Sequence, residues 1–176
     1  MKSRFLTLLF SIVLFGTAFA TDGEKTSIKE TKLVGIEVFT SLKHYKHDSD
    51  SLWNFFKKND FGPYLEDAKD SDKVYAYLIF GEEYEKDFPI QVILGYEVTK
   101  FDKVPKEFKL TNMIIPAGDF TKEAVNGNKA ADVFNTWDRL IKTEKIKTKG
   151  HEVIEIYEFD KSHKKVEKID LLFGTK

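Results

Sequence analysis

Hydrophobic residues in the first half of the chain follow two different periods. Apolar side chains at alternate positions, many of them β-branched or aromatic, predict strands over residues 33–39, 74–80 and 90–99. Residues 52–59 instead carry apolar side chains at helical spacing, and the polar cluster 48–51 before them consists of helix-capping residues. This half of the chain is therefore predicted to fold as β-α-β-β.

The second half repeats this order of elements. Strands are predicted over residues 108–115 and 120–125, on either side of a Pro-Ala-Gly bend. The clearest helix pattern in the chain lies within residues 130–141, where apolar side chains recur at i, i+3, i+4 and i+7. Strands over residues 153–159 and 166–173 complete a second β-α-β-β unit.

Together these patterns predict an α+β fold made of two pseudo-symmetric β-α-β-β units. Trp53 and Trp137 occupy comparable positions on the two helices, and two amphipathic helices suffice to cover one face of a mostly antiparallel sheet. A solvated second face would show strict alternation of apolar and polar residues. Residues 74–80 are apolar or aromatic on both faces, so the second face is expected to be sheltered, as a groove would be.

Residues 1–20 have the pattern of an export signal. A basic start is followed by an apolar run and by Ala18-Phe19-Ala20, the small-x-small form that precedes cleavage, so mature protein is expected to begin at Thr21. A retained N-terminal anchor is the alternative. Residues 21–31 are expected to be a flexible leader, and residues 32–176 a single domain. The predicted location is periplasmic or secreted.

Charge and composition exclude several classes of protein. The 176 residues include no cysteine, which excludes disulfide frameworks, thiolate metal sites and a lipid-modified N-terminal cysteine, and so argues against a stable membrane anchor. Without residues 1–20 the chain has 26 basic against 29 acidic residues, and Arg139 is the only arginine. Arginine is the side chain best suited to phosphate and guanine contacts, so nucleic acid is not an expected partner.

Glu155 is the residue whose setting most suggests chemistry. It stands among Val153, Tyr157 and Phe159 on one face of a predicted strand, where a desolvated carboxylate needs a cation or hydrogen-bond donors. Aromatic rings around a carboxylate suit a lipophilic cation. An exposed strand glutamate without a specific role is the alternative.

Other residues allow a functional and a purely structural interpretation. His44 and His47 could join Asp48 or Asp50 in a metal site, but a solvated polar loop is the favoured interpretation, and no metal site is predicted. Core packing and pocket lining both stay open for the two tryptophans and for four tyrosines, namely Tyr75, Tyr77, Tyr96 and Tyr157. The glycines form no phosphate-binding pattern and no hydrolase or zinc motif occurs, so no cofactor is predicted.

The order of several landmarks resembles the GyrI-like superfamily, which includes the effector-binding domains of AraC-type and MerR-type regulators and integron-cassette binding proteins. These landmarks run from the first predicted strand to the last but one: Val34-Gly35, Leu52-Trp53 with Phe56, Gly95-Tyr96-Glu97-Val98, Ile115-Pro116-Ala117-Gly118-Asp119-Phe120, Trp137, and Ile154-Glu155-Ile156-Tyr157.

The resemblance implies a concave antiparallel sheet that binds hydrophobic, often cationic compounds around a buried glutamate. Glu155 and Tyr157 match the family's F-E-x-Y motif, with Ile154 in place of the usual aromatic residue. The predicted ligand-binding residues are Glu155, Tyr157, Trp137, Trp53, Tyr75, Tyr77 and Tyr96. Only about a dozen residues separate the predicted cleavage site from the first strand, too few for the helix-turn-helix domain of a regulator.

Three hypotheses follow for function. The first is an exported binding protein for an amphipathic, cationic or aromatic small molecule. The second is a hydrolase of strained small metabolites, since some members of the superfamily have that activity; Glu155 would then be the general base and Tyr157 or Tyr96 a proton donor. The third is an accessory protein that docks an unidentified protein partner through the groove.

Overall fold

The computed structural model describes residues 23–59, 61–80, 89–101, 106–143 and 152–174. Within these ranges the chain forms two α-helices, α1 (Leu42–Asn59) and α2 (Ala130–Lys142), and eight strands. The strands are β1 (Glu24–Ile28), β2 (Thr31–Ser41), β3 (Lys73–Phe80), β4 (Pro89–Val98), β5 (Thr111–Ile115), β6 (Gly118–Ala124), β7 (Glu152–Phe159) and β8 (Val166–Gly174). None of the helices in these ranges is long and apolar enough to cross a membrane. The predicted export signal lies outside the described residues.

All eight strands belong to one antiparallel sheet in the order β1-β6-β8-β7-β3-β4-β2-β5. The centre of the sheet is the β3–β7 pair, which joins the two halves of the chain. On either side of it the order is symmetric, so the two predicted β-α-β-β units are present and the predicted α+β fold is confirmed.

The strand that precedes each β-α-β-β unit in the chain pairs with the other unit. β1 precedes β2 in the chain but pairs with β6, and β5 precedes β6 but pairs with β2. Residues 24–28 are therefore an edge strand, which corrects the expectation of a flexible leader over residues 21–31. Pairing with β6 fixes this polar segment, although its own sequence shows no apolar alternation.

The sheet is strongly curled. Only two residues link β1 to β2 and β5 to β6, yet each link joins strands near opposite edges of the sheet. Three peptide units span about 11 Å at most, so the two edges approach each other at this end. Gly35 and Gly95 face each other across β2 and β4, and a Cβ at Gly95 would lie 2.3 Å from the carbonyl oxygen of Val34.

Both faces of the curled sheet are buried, but by different means. α1 and α2 cover one face, where the larger core gathers side chains such as Val34, Leu78, Leu94 and Leu171. The opposite face carries a smaller cluster of Leu33, Tyr77, Ile93, Ile115, Phe120, Ile154 and Leu172. Ile115 and Phe120 come from strands near the sheet edges, so the curl itself shelters this face, as the sequence predicted.

The start of α1 differs from the prediction. The cluster 48–51 does not cap the helix, because α1 already begins at Leu42 and includes the segment expected as a polar loop. Ser49 is small and buried, and it continues an inward stripe of Tyr45, Leu52 and Phe56. Helix α2 begins as predicted, and the carboxylate of Asp132 accepts hydrogen bonds from the backbone N–H groups of Asn128 and Lys129 at its first turn.

Candidate functional site: a buried carboxylate beneath two helices

Glu155 lies in the middle of β7, at the centre of the sheet. Its neighbours across the two flanking strands are Ala76 on β3 and Leu171 on β8. Alternation along β7 directs Val153, Glu155 and Tyr157 to the helix-covered face. Because Ala76 is small, it leaves room for other groups to gather around the carboxylate.

The Glu155 side chain is completely buried, and both of its carboxylate oxygens accept hydrogen bonds. Its Oε2 atom accepts hydrogen bonds from the hydroxyls of Tyr157 at 2.6 Å and Tyr45 at 3.1 Å. Its Oε1 atom accepts one from the indole Nε1 of Trp137 at 3.0 Å. The three donors come from β7, α1 and α2, so the carboxylate joins the sheet to both helices.

No cation balances this carboxylate within the described part of the chain: all the hydrogen-bond donors that meet it are neutral. Burial raises the pKa of Glu155 above its ordinary value, because the charged form loses water. The hydrogen bonds from Tyr157, Trp137 and Tyr45 lower that pKa in part without cancelling the effect of burial. Burial and the nearby Glu155 charge raise the pKa of both tyrosines well above the ordinary value, so they remain proton donors.

Aromatic rings surround the network. Trp53 on α1 packs edge-to-face against Tyr157, with ring centroids 4.6 Å apart. Trp137 packs against Phe173 at 5.7 Å, and Tyr45 against Phe134 at 5.6 Å. Ring faces attract cations, as does the carboxylate that these rings surround.

Two grooves of about 400 Å³ and 390 Å³ share Trp53, Lys57 and Phe159 in their linings. The first, which we call the basic groove, has an aromatic floor that includes Phe56, Tyr96 and Phe159. The second, the interhelix groove, lies between α1 and the residues that begin α2. Tyr157 lines the interhelix groove and bonds Glu155, so one side chain separates that groove from the carboxylate.

The structure divides the seven predicted ligand-binding residues between the two faces of the sheet. Glu155, Tyr157, Trp137, Trp53 and Tyr96 lie on the helix-covered face.

Tyr75 and Tyr77 lie on the opposite face, which corrects the expectation that all seven share one pocket. Tyr75 pairs with Ile156 and Tyr77 with Ile154, so strand alternation points them away from Glu155. The Tyr75 hydroxyl bonds Glu97 at 3.1 Å instead. Ligand binding by any of the seven stays a prediction.

Sequence reasoning missed Tyr45, which supplies one of the three donors to Glu155. The polar cluster 48–51 resembles a helix start, so the sequence pattern places Tyr45 in a loop before the helix. The spacing of Tyr45, Ser49, Leu52 and Phe56 is the signal that marks a continuous helix face.

The candidate histidine site does not assemble. His44 and His47 are exposed on α1, and His47 Nδ1 lies 3.2 Å from Asp48 Oδ1. Within the described ranges, no group of three or more His, Cys, Asp or Glu residues could hold a metal ion.

A family model now gives this architecture a name. The model of Cass2, the integron-associated effector binding protein, matches residues 26–174. The chain belongs to the Cass2 family. The match begins within β1 and ends with β8, and it makes the chain a member of a small-molecule effector-binding family. The resemblance to the GyrI-like superfamily is thereby confirmed.

Solved structures share the fold of this Cass2 family member. SAV2435 bound to tetraphenylphosphonium has a TM-score of 0.70 at 10% identity, over 88% of this chain and 94% of that chain. The Vibrio cholerae integron cassette protein has a TM-score of 0.64 at 14% identity, over 89% and 97%. The C-terminal domain of EcmrR has a TM-score of 0.58 at 10% identity, over 88% and 96%. No curated protein shows a significant match.

Proposed function

We propose that this protein binds a hydrophobic organic cation, which pairs with the carboxylate of Glu155. The observation that carries the proposal is a fully buried carboxylate that receives three neutral hydrogen bonds and no positive charge from the described residues. A buried charge without an opposite charge is costly, and a cationic ligand removes that cost. The family and the cationic compound bound by SAV2435 support the same ligand class.

The interhelix groove offers the route to the carboxylate. Its lining includes Trp53, Tyr157 and Phe159, so an aromatic ligand meets aromatic surface from the start. Displacement of Tyr157 then brings the ligand to Glu155, because the tyrosine hydroxyl lies 2.6 Å from Oε2. The carboxylate gains a cation in exchange for one neutral hydrogen bond.

The geometry favours binding over the hydrolysis considered from the sequence. A general base needs a water molecule within hydrogen-bond reach. Both oxygens of Glu155 are instead occupied by side-chain donors, and the residue has no exposed surface.

The test uses tetraphenylphosphonium, with triphenylphosphine oxide as a neutral compound that keeps three of the four phenyl rings on phosphorus. Binding is measured by quenching of tryptophan fluorescence, since Trp53 lines the groove and Trp137 bonds the carboxylate. At 100 times its dissociation constant the cation should raise the free energy of unfolding by about 2.7 kcal/mol. The neutral compound should bind much more weakly.

The decisive variant is Glu155→Gln, which keeps the size of the side chain and removes its charge. Glu158→Gln is the matched control, because it makes the same change three residues away, near Lys73 and on the opposite face of β7. Equal affinity of wild type and Glu155→Gln for tetraphenylphosphonium would contradict the proposal.

We also propose that the protein acts outside the cytoplasm after removal of residues 1–20. The support is the signal pattern of the sequence. The test is N-terminal sequencing of the full-length chain expressed in a bacterium, together with cell fractionation. A first residue of Thr21 in the exported fraction agrees with the proposal, and an intact Met1 in the cytoplasm contradicts it.

A further inference from the structure

The basic groove has a rim whose charge is opposite to that of the Glu155 site. Its floor is formed by the rings of Trp53, Phe56, Tyr96 and Phe159. At its rim stand three nitrogen-bearing side chains, those of Lys57, His163 and Lys164. No carboxylate lines this groove among the described residues, whereas Asp50 lines the interhelix groove together with Lys129. Lys57 lines both grooves, while His163 and Lys164 line only the basic groove.

We propose that the basic groove is a second binding site, which takes an amphipathic organic anion such as an aromatic carboxylate or sulfonate. The apolar part of the ligand covers the aromatic floor, and its anionic group meets the lysines at the rim. Complementary charge of this kind sets which ligand is accepted.

The two lysines are available for such a ligand. Neither Lys57 nor Lys164 forms an ion pair with a carboxylate of the described chain, and both are exposed. Lys57 Nζ lies 5.9 Å from the centre of the Trp53 ring, which places its charge directly beside the aromatic floor.

Two acidic residues that contact the β7–β8 turn, Asp72 and Asp160, already have partners. The carboxylate of Asp72 forms an ion pair with the ammonium group of Lys161, and its Oδ1 atom lies 3.2 Å from Nε2 of His163. Asp160 accepts hydrogen bonds from the Ser162 hydroxyl at 2.9 Å and from the backbone N–H of Lys164 at 3.0 Å.

The hydrogen bonds of Asp160 also hold the β7–β8 turn in shape. The rim that the turn contributes is therefore formed before a ligand arrives, which lowers the entropy lost on binding.

The test is isothermal titration calorimetry with naphthalene-2-sulfonate and its neutral counterpart, naphthalene-2-sulfonamide. The sulfonate should bind, and the sulfonamide should bind at least about fivefold more weakly, as expected for one contact between unit charges at the protein surface. Lys57→Gln and Lys164→Gln should each raise the dissociation constant of the sulfonate about fivefold. Lys58→Gln is the matched control, because Lys58 is exposed on the same helix and does not line the groove.

Three results would overturn this proposal. One is equal affinity for sulfonate and sulfonamide, another is an equal loss of affinity in Lys58→Gln and Lys57→Gln, and the third is no binding of the sulfonate at millimolar concentration. The outcome is separable from that of the cation site. Glu155→Gln should leave the affinity for the sulfonate unchanged, since Glu155 does not line the basic groove.

Discussion

Replacement of Glu155 by glutamine should make the free energy of unfolding less sensitive to rising pH. In an unfolded chain a glutamate titrates at about pH 4.3. Burial raises the pKa of Glu155 in the folded protein, so above about pH 4.3 the folded state holds this proton more tightly than the unfolded state does. Its contribution to stability is complete at lower pH and is lost as the pH rises through the folded pKa.

The size of the effect follows from the linkage of one proton. The free energy of unfolding of the wild type should fall, relative to Glu155→Gln, by up to about 1.4 kcal/mol per pH unit between the two pKa values. The hydrogen bonds should survive the change. The amide oxygen can accept from Trp137, and the amide NH₂ can donate to Tyr45 and Tyr157, whose hydroxyls rotate to accept.

Urea unfolding of both proteins across a series from about pH 4 to 8 measures this difference directly. At about pH 4 the two should agree within about 1 kcal/mol, and the variant should become relatively more stable as the pH rises. Glu155→Leu should behave differently, because it leaves three buried donors without an acceptor. Each of them should lower the free energy of unfolding by about 1–3 kcal/mol. Parallel pH profiles for wild type and Glu155→Gln would refute the reasoning, as would the same slope from the control Glu158→Gln.

Three further predictions follow from the same structure. Trp137→Phe removes a 3.0 Å hydrogen bond to Glu155, so the free energy of unfolding in urea should fall by about 2 kcal/mol at neutral pH. Tetraphenylphosphonium should release a proton from Glu155 below its folded pKa, and calorimetric heats that do not depend on the buffer's ionisation enthalpy would contradict this. Gly95→Ala should cost about 2 kcal/mol or more, because its Cβ would lie 2.3 Å from the Val34 carbonyl oxygen. Gly118→Ala is the control, with no atom nearer than 3.5 Å.

Much of the fold could be predicted because its central strands and second helix have strong patterns. β3, β4, β7, β8 and α2 lie within a residue or two of their predicted bounds. The edge strand β1 could not be found this way. Four of its five residues are polar, none of the five is buried, and it exists only because β6, ninety or more positions away, supplies its hydrogen bonds.

The candidate site could be predicted only in part from the sequence, for a related reason. Glu155 stood out because it interrupts an apolar face, and that interruption is local to one strand. The separation of Tyr75 and Tyr77 from Glu155 depends on the β3–β7 register, which pairs Ala76 with Glu155. A single sequence does not fix the register between strands nearly eighty residues apart.

The exchange of edge strands has a consequence for the order in which the protein folds. β1 pairs with residues 118–122, and the central strand β3 lies between β4 and β7, which ends at Phe159. Neither half can complete its part of the sheet until most of the chain is available. Contacts between residues so distant in sequence slow folding. We therefore expect a nascent chain of this topology to lack its complete sheet until β8 has been synthesised, which would suit the export proposed above.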